Sequence, residues 1–492
     1  MDEILSHEVL EAYLKSNSVV QHQIESYNKF IRTGMQKIIN NQSIIEPEIS
    51  GFAIKFTNIR IEPPIIIESD SSVRHILPNE ARIRDLNYSA PLYLTYIPVI
   101  SGIEKLDSAS EVFIGELPVM VKSDLCYTKN MTREQLIDEG EDPDDPGGYF
   151  IVRGTERALI GLEDLAQNRI ICNKEKSKDI VISKVFSTTL NFRAKCAVSR
   201  DNLGIFKITF PTINKGLNLI LILRALGLQT NEIINSAPNE DIKNDLLLNI
   251  DVSDAKNMSP KEALLAIGAV SAPSQTKTFQ EKRAEIQLDT YVLPHLGTTS
   301  ATRKEKGFYI LRMAAKASLV ALGYIKADDK DHYANKRIKL AGDLMEELFN
   351  NAFKLLIKDI KHHVERTSAR GRKLTIKSNI NADTLTTKIL YSISTGTWPG
   401  GQTGVSKVLD RVNFTSSISD LRRVKSPLAK KHPHYAARDV HGTHIGKLCP
   451  AETTEGLEVG LIRYLSIMSK VTTGIDDIYL LNKLKELKIL KK

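Results

Sequence analysis

Hydrophobic residues change period several times along the chain. Val19, Val20, Gln23, Ile24, Tyr27, Phe30, Ile31 and Met35 recur at three- and four-residue spacing. That spacing predicts two helices over residues 4–40, with an amphipathic face that needs a core. Between residues 49 and 121 the pattern becomes short runs, FAIKFTNIRI, PPIIIE, APLYLTYIPVI and EVFIGELPVMV, punctuated by Pro63, Pro64, Pro91, Pro98 and Pro118. Such runs predict sheet with turns. DPDDPGG at 142–148 is a turn, and YFIV and ERALI flank Arg153-Gly154, which predicts a tight hairpin with Gly154 at positive φ. Residues 168 to about 298 mix strand runs (DIVISKVF, IFKITFP) with helical ones (LNLILILRALGL, PKEALLAIGAV), and NKEKSKD reads as a polar turn. The clearest helix follows: Ala341, Leu344, Leu348, Ala352, Leu355, Leu356 and Val364 form a continuous apolar stripe ending in a basic, glycine-broken stretch at 366–373.

At 492 residues the chain exceeds one hydrophobic core, so two to four domains are expected. Its 42% hydrophobic and 26% charged composition is that of a globular protein. Cys126, Cys172, Cys196 and Cys449 form no CxxC pair, which argues against a disulfide framework and fits a reducing compartment. MDEILSHEVL lacks a signal-peptide core, and no apolar run is long enough to span a bilayer, so a cytoplasmic protein is expected. Charge is unevenly spread. Residues 1–300 hold 32 basic and 40 acidic residues, whereas 301–450 hold 28 and 13. One surface facing nucleic acid accounts for that split.

The basic half peaks in residues 403–463, with nine Lys or Arg before Pro450 against three Asp. Its middle, 426–435, has two prolines and no apolar period, which predicts an exposed loop on a folded base. GGQTGVSK at 400–407 is not a phosphate loop, because Ser406 precedes Lys407 and Val408 follows it. His432, His434, His441, His444 and Cys449 lack the i, i+4 spacing of a helical zinc pair, so packed or hydrogen-bonded imidazoles are expected. Asp328, Asp329 and Asp331 lie near Lys330, Lys336 and Arg337, and are expected to cap the following helix rather than hold a metal. Glu452 and Glu455 have no nucleophile beside them. These features leave two other classes open: a free-standing DNA-binding architectural protein, and an independent nucleotidyl-transfer enzyme, for which no carboxylate cluster is found.

LRR, the loop and HGTHIGKLCPAETTEGLEVGLI, together with GGYFIV-x-G-x-ER and DDKDHYANKRIKLAGDLM, resemble the second-largest subunit of multisubunit DNA-dependent RNA polymerases. The resemblance runs from about residue 20 to 470. Thr454 stands where the family usually has Pro, and Arg153 where Asn is expected. The resemblance implies an α+β multidomain fold of protrusion, lobe and fork: 1–166 and 341–402 protrusion, 167–340 lobe, 403–472 fork, and 473–492 a segment where some archaeal members divide the subunit in two. It implies the amino-terminal half of such a subunit, whose partners would be the carboxy-terminal half, the largest subunit, DNA template and RNA. Mg2+ would be held in the assembled polymerase by the largest subunit, leaving no catalytic residue in this chain. Lys407, Arg411, Arg422, Arg423, Lys425, Arg438 and Glu455 would lie near nucleic acid and the active centre, with Glu455 closest. Lys336, Arg337, Arg370 and Arg372 would contact backbone phosphates.

Overall fold

The structure is a computed structural model, and it describes residues 2–175, 179–189, 192–371, 380–431, 433–472, 474, 477–487 and 489. The fold is α+β and divides into two compact units, one of residues 1–164 with 338–492, the other of residues 165–337.

In the first unit, the strand Phe52–Ile61 pairs with Ser89–Ile100, which also pairs with Ser110–Pro118, all antiparallel. Against this sheet lies the long helix Ala341–Ala369. Leu344, Leu348, Ala352, Leu356 and Val364 of the predicted stripe are fully buried. Leu355 is corrected: it is 41% exposed, one position off the stripe at helical pitch. Phe353 meets Phe56 of the sheet edge-on, with ring centroids 6.0 Å apart.

The amino-terminal stretch forms the helix Asp2–Ser16 and then Gln21–Lys29, which continues through a π-turn, Phe30–Gly34, into Met35–Asn41. Phe30 and Met35, five residues apart, both reach the core because the π-turn adds one residue to the turn between them. The long helix begins against this segment: Ala341 N donates to Gln23 Oε1 (2.9 Å) and Gly342 N to Ser26 Oγ (3.0 Å). These side chains satisfy orphan donors of the first turn. The strands Phe150–Val152 and Thr155–Leu159 form the expected hairpin. Both Arg153 (φ 50°) and Gly154 (φ 68°) are left-handed, as a two-residue type I′ turn requires.

The second unit is a five-stranded antiparallel meander, Ile171–Glu175, Ile180–Thr188, Arg193–Arg200, Phe206–Phe210 and Ile213–Asn218. Asn173, Lys174 and Glu175 of NKEKSKD are thus strand rather than turn, and residues 176–178 lie outside the described residues. Its buried face carries Val181, Val185, Cys196, Val198, Phe206 and Ile208, packed with the helices Leu219–Ala225 and Arg303–Ala321. No described helix is long and apolar enough to cross a membrane.

The buried Lys306 donates from Nζ to the carbonyls of Leu288 (3.1 Å) and Asp289 (2.6 Å), in the last turn of the helix Lys277–Tyr291. A cation at a helix carboxyl end is favourable, yet burial lowers its pKa to about 8. Between pH 8 and the unfolded value near 10.4 the unfolded chain therefore binds more protons, so stability rises with pH there. Urea midpoints at pH 7.5, 8.5 and 9.5 should show this rise in wild type relative to Lys306→Met, with a slope approaching about 1.4 kcal/mol per pH unit. Identical slopes in the two proteins would show that Lys306 stays charged throughout.

Candidate nucleic-acid interface

The basic region is built on the strand Arg423–Lys425, paired antiparallel with Ile462–Leu465 and parallel with the strand that begins at Gly161. Leu448–Thr453 extends the sheet. Val424, Ile462, Tyr464 and Leu465 are buried, giving the loop a firm base. The loop itself is exposed from Pro427 through Tyr435, with residue 432 outside the described residues, and Tyr435–Arg438 closes it as one helical turn.

The predicted cations divide by what they bind. Arg422 is corrected. It is 4% exposed, and its guanidinium donates to the backbone carbonyls of Leu465 and, at short range, Val19 and Ser466. It follows the helix Phe414–Leu421 and precedes the strand Arg423–Lys425, and its guanidinium points inward as a brace. Arg423 pairs with Asp420 at 2.8 Å and lies over the Tyr464 ring. Lys407 reaches the same carboxylate at 2.9 Å. Asp420 is 3% exposed and also accepts from Asp410 N at 3.2 Å, so it is the hub of this base. Lys407 itself sits in the strand Ser406–Val408, opposite Ala158, and not at the helix start a phosphate loop requires.

Arg411 forms a second hub. It donates to Glu156 Oε2 (2.6 Å) and Asp145 Oδ2 (2.7 Å) and lies over the Tyr149 ring. Arg82 joins from the other side, at 2.8 Å from Glu156 and 2.9 Å from Glu141. Burial works against the Glu156 charge, but the hydrogen bonds and charges of Arg411 and then Arg82 outweigh it and hold its pKa below the ordinary range.

Arg438 laces the loop to the segment after the CPAETTEG motif, through the carbonyls of Lys430, Pro433, Leu457 and Val459 at 2.8–3.1 Å. Gly460 is required there, because a Cβ would stand 2.3 Å from Arg438 O. Lys425 Nζ donates to Thr403 O (2.9 Å), and burial, then the nearby Lys430, lowers its pKa.

Glu452 is tied to Ser419 (2.5 Å), whereas Glu455 is exposed at the tip of a turn whose base Thr453 closes by accepting from Gly460 N and donating to Ile462 O. Of the apolar segment 459–461, Leu461 is buried but Val459 is exposed. Tyr435, Val440, Ile445 and Leu457 of the same region of the chain are also exposed. Lys430 pairs with Glu458 at 2.5 Å, and Lys431 stands exposed on the loop crest.

The remaining candidates lie elsewhere. Lys336 is 3.7 Å from Asp331 with 9% of its side chain exposed, while Arg337 is exposed and bonds the carbonyls of Ala334 and Lys336. Arg370 is exposed at the end of the long helix, and Arg372 lies outside the described residues. The aspartate trio does not cap a helix: Asp328 accepts from Cys172 N (2.7 Å) and Lys316 (2.6 Å), and Asp329 from Asp331 N. The long helix is capped instead by Asp343, which accepts from Leu340 N. His444 is buried, His441 accepts from Thr443 N, and His434 is exposed. Among the described residues no group of three or more His, Cys, Asp or Glu could hold a metal ion. From sequence, Asp410, Asp420 and Asp439 stand as candidate internal partners of Arg411, Arg422 and Arg423, and Asp420 takes that role with Arg423; sequence reading missed Asp145 and Glu156 as the partners of Arg411.

A family model described as RNA polymerase beta subunit matches residues 18–387, and one described as RNA polymerase Rpb2, domain 3, matches residues 407–471. DNA-directed RNA polymerase subunit Rpo2N of Methanocaldococcus jannaschii is 46% identical over 489 residues, 98% of each chain. The Rpo2N of Methanococcus vannielii is 44% identical over 497 residues, 99% of each. DNA-directed RNA polymerase subunit Rpo2 of Saccharolobus solfataricus is 42% identical over 474 residues, which span 95% of this chain and 42% of that protein.

Proposed function

We infer, because this chain belongs to the RNA polymerase beta-subunit family, that it works as one subunit of a multisubunit DNA-directed RNA polymerase. The observation that carries this reading is the match of both family models, in order, over nearly the whole chain. The relatives give no support to a free-standing architectural protein. Within that assembly we assign residues 1–166 and 341–402 to the protrusion, 167–340 to the lobe, 403–472 to the fork, and 473–492 to the segment near the subunit division. The partners are the polypeptide corresponding to the remainder of undivided relatives, the largest subunit, template DNA and RNA. Exposed Tyr435, Ile445 and Leu457 beside a basic loop suit a surface that other subunits cover. The compartment is the cytoplasm.

The residues divide the work. Lys425, Lys430 and Lys431 face the nucleic acid electrostatically. Arg422, Arg423, Arg438, Lys407 and Arg411 hold the surface in shape through internal bonds. Glu455 is exposed at the tip of its turn, where a carboxylate repels phosphate and so serves positioning rather than affinity. Mg2+ belongs to the largest subunit and supplies the Lewis-acid chemistry of nucleotidyl transfer when bound there.

Glu455→Ala in a reconstituted polymerase should leave assembly and scaffold binding unchanged and slow elongation on the order of tenfold, as lost alignment does. Loss of the subunit from the complex, with normal elongation by the complexes that survive, would make Glu455 structural. The isolated chain should extend no primer from nucleotides. Extension after removal of every other subunit would overturn the assignment.

A further inference from the structure

Arg422 is nine-tenths buried, and among the described residues no carboxylate pairs with it. Its contacts are neutral oxygens: the carbonyls of Leu465, Val19 and Ser466 and the hydroxyl of Ser469. A guanidinium has five N–H groups, so one on Nη1 remains unused. Burial works against the Arg422 charge, which is met by these dipoles and, at longer range, by the Glu452 carboxylate.

The carbonyl of Val19 places that guanidinium at the start of the helix Gln21–Lys29. This helix begins at Val20 with no side-chain cap and no acidic residue in its first turn. Two positive poles, a helix amino terminus and a buried cation, therefore converge. His22, 6% exposed, adds a ring whose Nε2 has no hydrogen-bond partner, and burial and then the Arg422 charge push its pKa down to about 3.

A cavity of about 320 Å³ opens at this point. Its lining brings together Arg422, His22, Lys470 and the hydroxyls of Ser18, Ser469 and Thr472. Among the described residues Glu25 is the one carboxylate on its wall, and it accepts from Gln21 at 2.5 Å. The Lys470 ammonium lies 5.7 Å from the Tyr13 ring centroid.

We propose that this cavity binds a small tetrahedral oxyanion of the phosphate class, held between Arg422, Lys470 and the amino terminus of the helix Gln21–Lys29. The start of this helix contributes a favourable field for such an ion, while its Gln21 and Gln23 N–H groups already donate to Ser18 O and Val20 O. With the Ser469 and Tyr13 hydroxyls donating to Ser466 O and Met468 O, the hydroxyls of Ser18 and Thr472 and the two cations suit an acceptor with oxygens in several directions better than a planar carboxylate. The proposal does not depend on the polymerase reading.

The test measures thermal midpoints of the full chain against inorganic phosphate at constant ionic strength, with sodium acetate in a parallel series. Phosphate should raise the midpoint saturably, and acetate should not. Lys470→Met should weaken the apparent affinity roughly fivefold, the coupling of one half-exposed ion pair. Ser18→Asp places a carboxylate beside the helix start, so it should raise the phosphate-free midpoint and abolish the phosphate response. No saturable response in wild type, an equal response to acetate, or undiminished affinity in both variants would each overturn the site.

Discussion

Gly342→Ala is expected to destabilise the protein by about 4 kcal/mol or more, among the largest effects a single methyl group can have. Gly342 lies in the first turn of the long helix, with an ordinary helical backbone, so conformational freedom is not the reason for glycine. The reason is contact. A Cβ there would stand 1.9 Å from Ser26 O and 2.7 Å from Ser26 Oγ. The helix must then lift from the segment Gln21–Lys29, breaking the bonds from Gly342 N to Ser26 and from Ala341 N to Gln23. Overpacking costs about 1–3 kcal/mol, and each buried donor left unmet costs about as much again. Gly442→Ala is the control, since its Cβ would meet nothing within 4 Å. Urea denaturation should place that variant within about 0.5 kcal/mol of wild type. Equal stability of the two variants would mean that the helices do not approach so closely.

Local periodicity made much of the fold legible. The hairpin at Arg153-Gly154 followed from two residues between apolar runs, and the helix stripe failed only at Leu355. Phe30, Ile31 and Met35 read as ordinary three- and four-residue spacing, and the π-turn that joins Phe30 to Met35 needed the backbone. The site was less legible because its bonds are not local. Arg422 reads as one of two adjacent basic residues, but its acceptors lie 43, 44 and 403 positions away. Nothing near it in sequence says that most of its N–H groups are taken by carbonyls of distant segments. The aspartate trio misled for a related reason: a carboxylate before a helix resembles a cap, while Asp328 is already engaged by Cys172 and Lys316. Glu455 is a different case, singled out by resemblance and not by residue type, and the structure leaves it exposed at a tip.

The same non-local bonding makes Asp420→Ala the substitution expected to harm the basic surface most without touching anything that passes over it. Asp420 is 3% exposed and accepts from Lys407 Nζ, Arg423 Nη2 and Asp410 N. Removing its carboxylate leaves the largely buried Arg423 without its partner, beside a Lys407 whose side chain is 40% exposed. Breaking such a group from one side costs about 3–5 kcal/mol, far more than an exposed pair contributes. The strand Arg423–Lys425 and the segment holding Lys407 would separate, and the loop after Ser426 would lose its base. Asp420→Ala should therefore lower the urea midpoint and speed proteolysis between Pro427 and Tyr435. Asp420→Asn should recover little, because an amide keeps the hydrogen bond from Asp410 N but not the charge. The companion change Arg423→Met should restore part of the loss in Asp420→Ala by removing one of the two stranded cations. If the double variant is no more stable than Asp420→Ala, the carboxylate acts on the backbone of Asp410 alone, and the charge hub is not what holds this surface together.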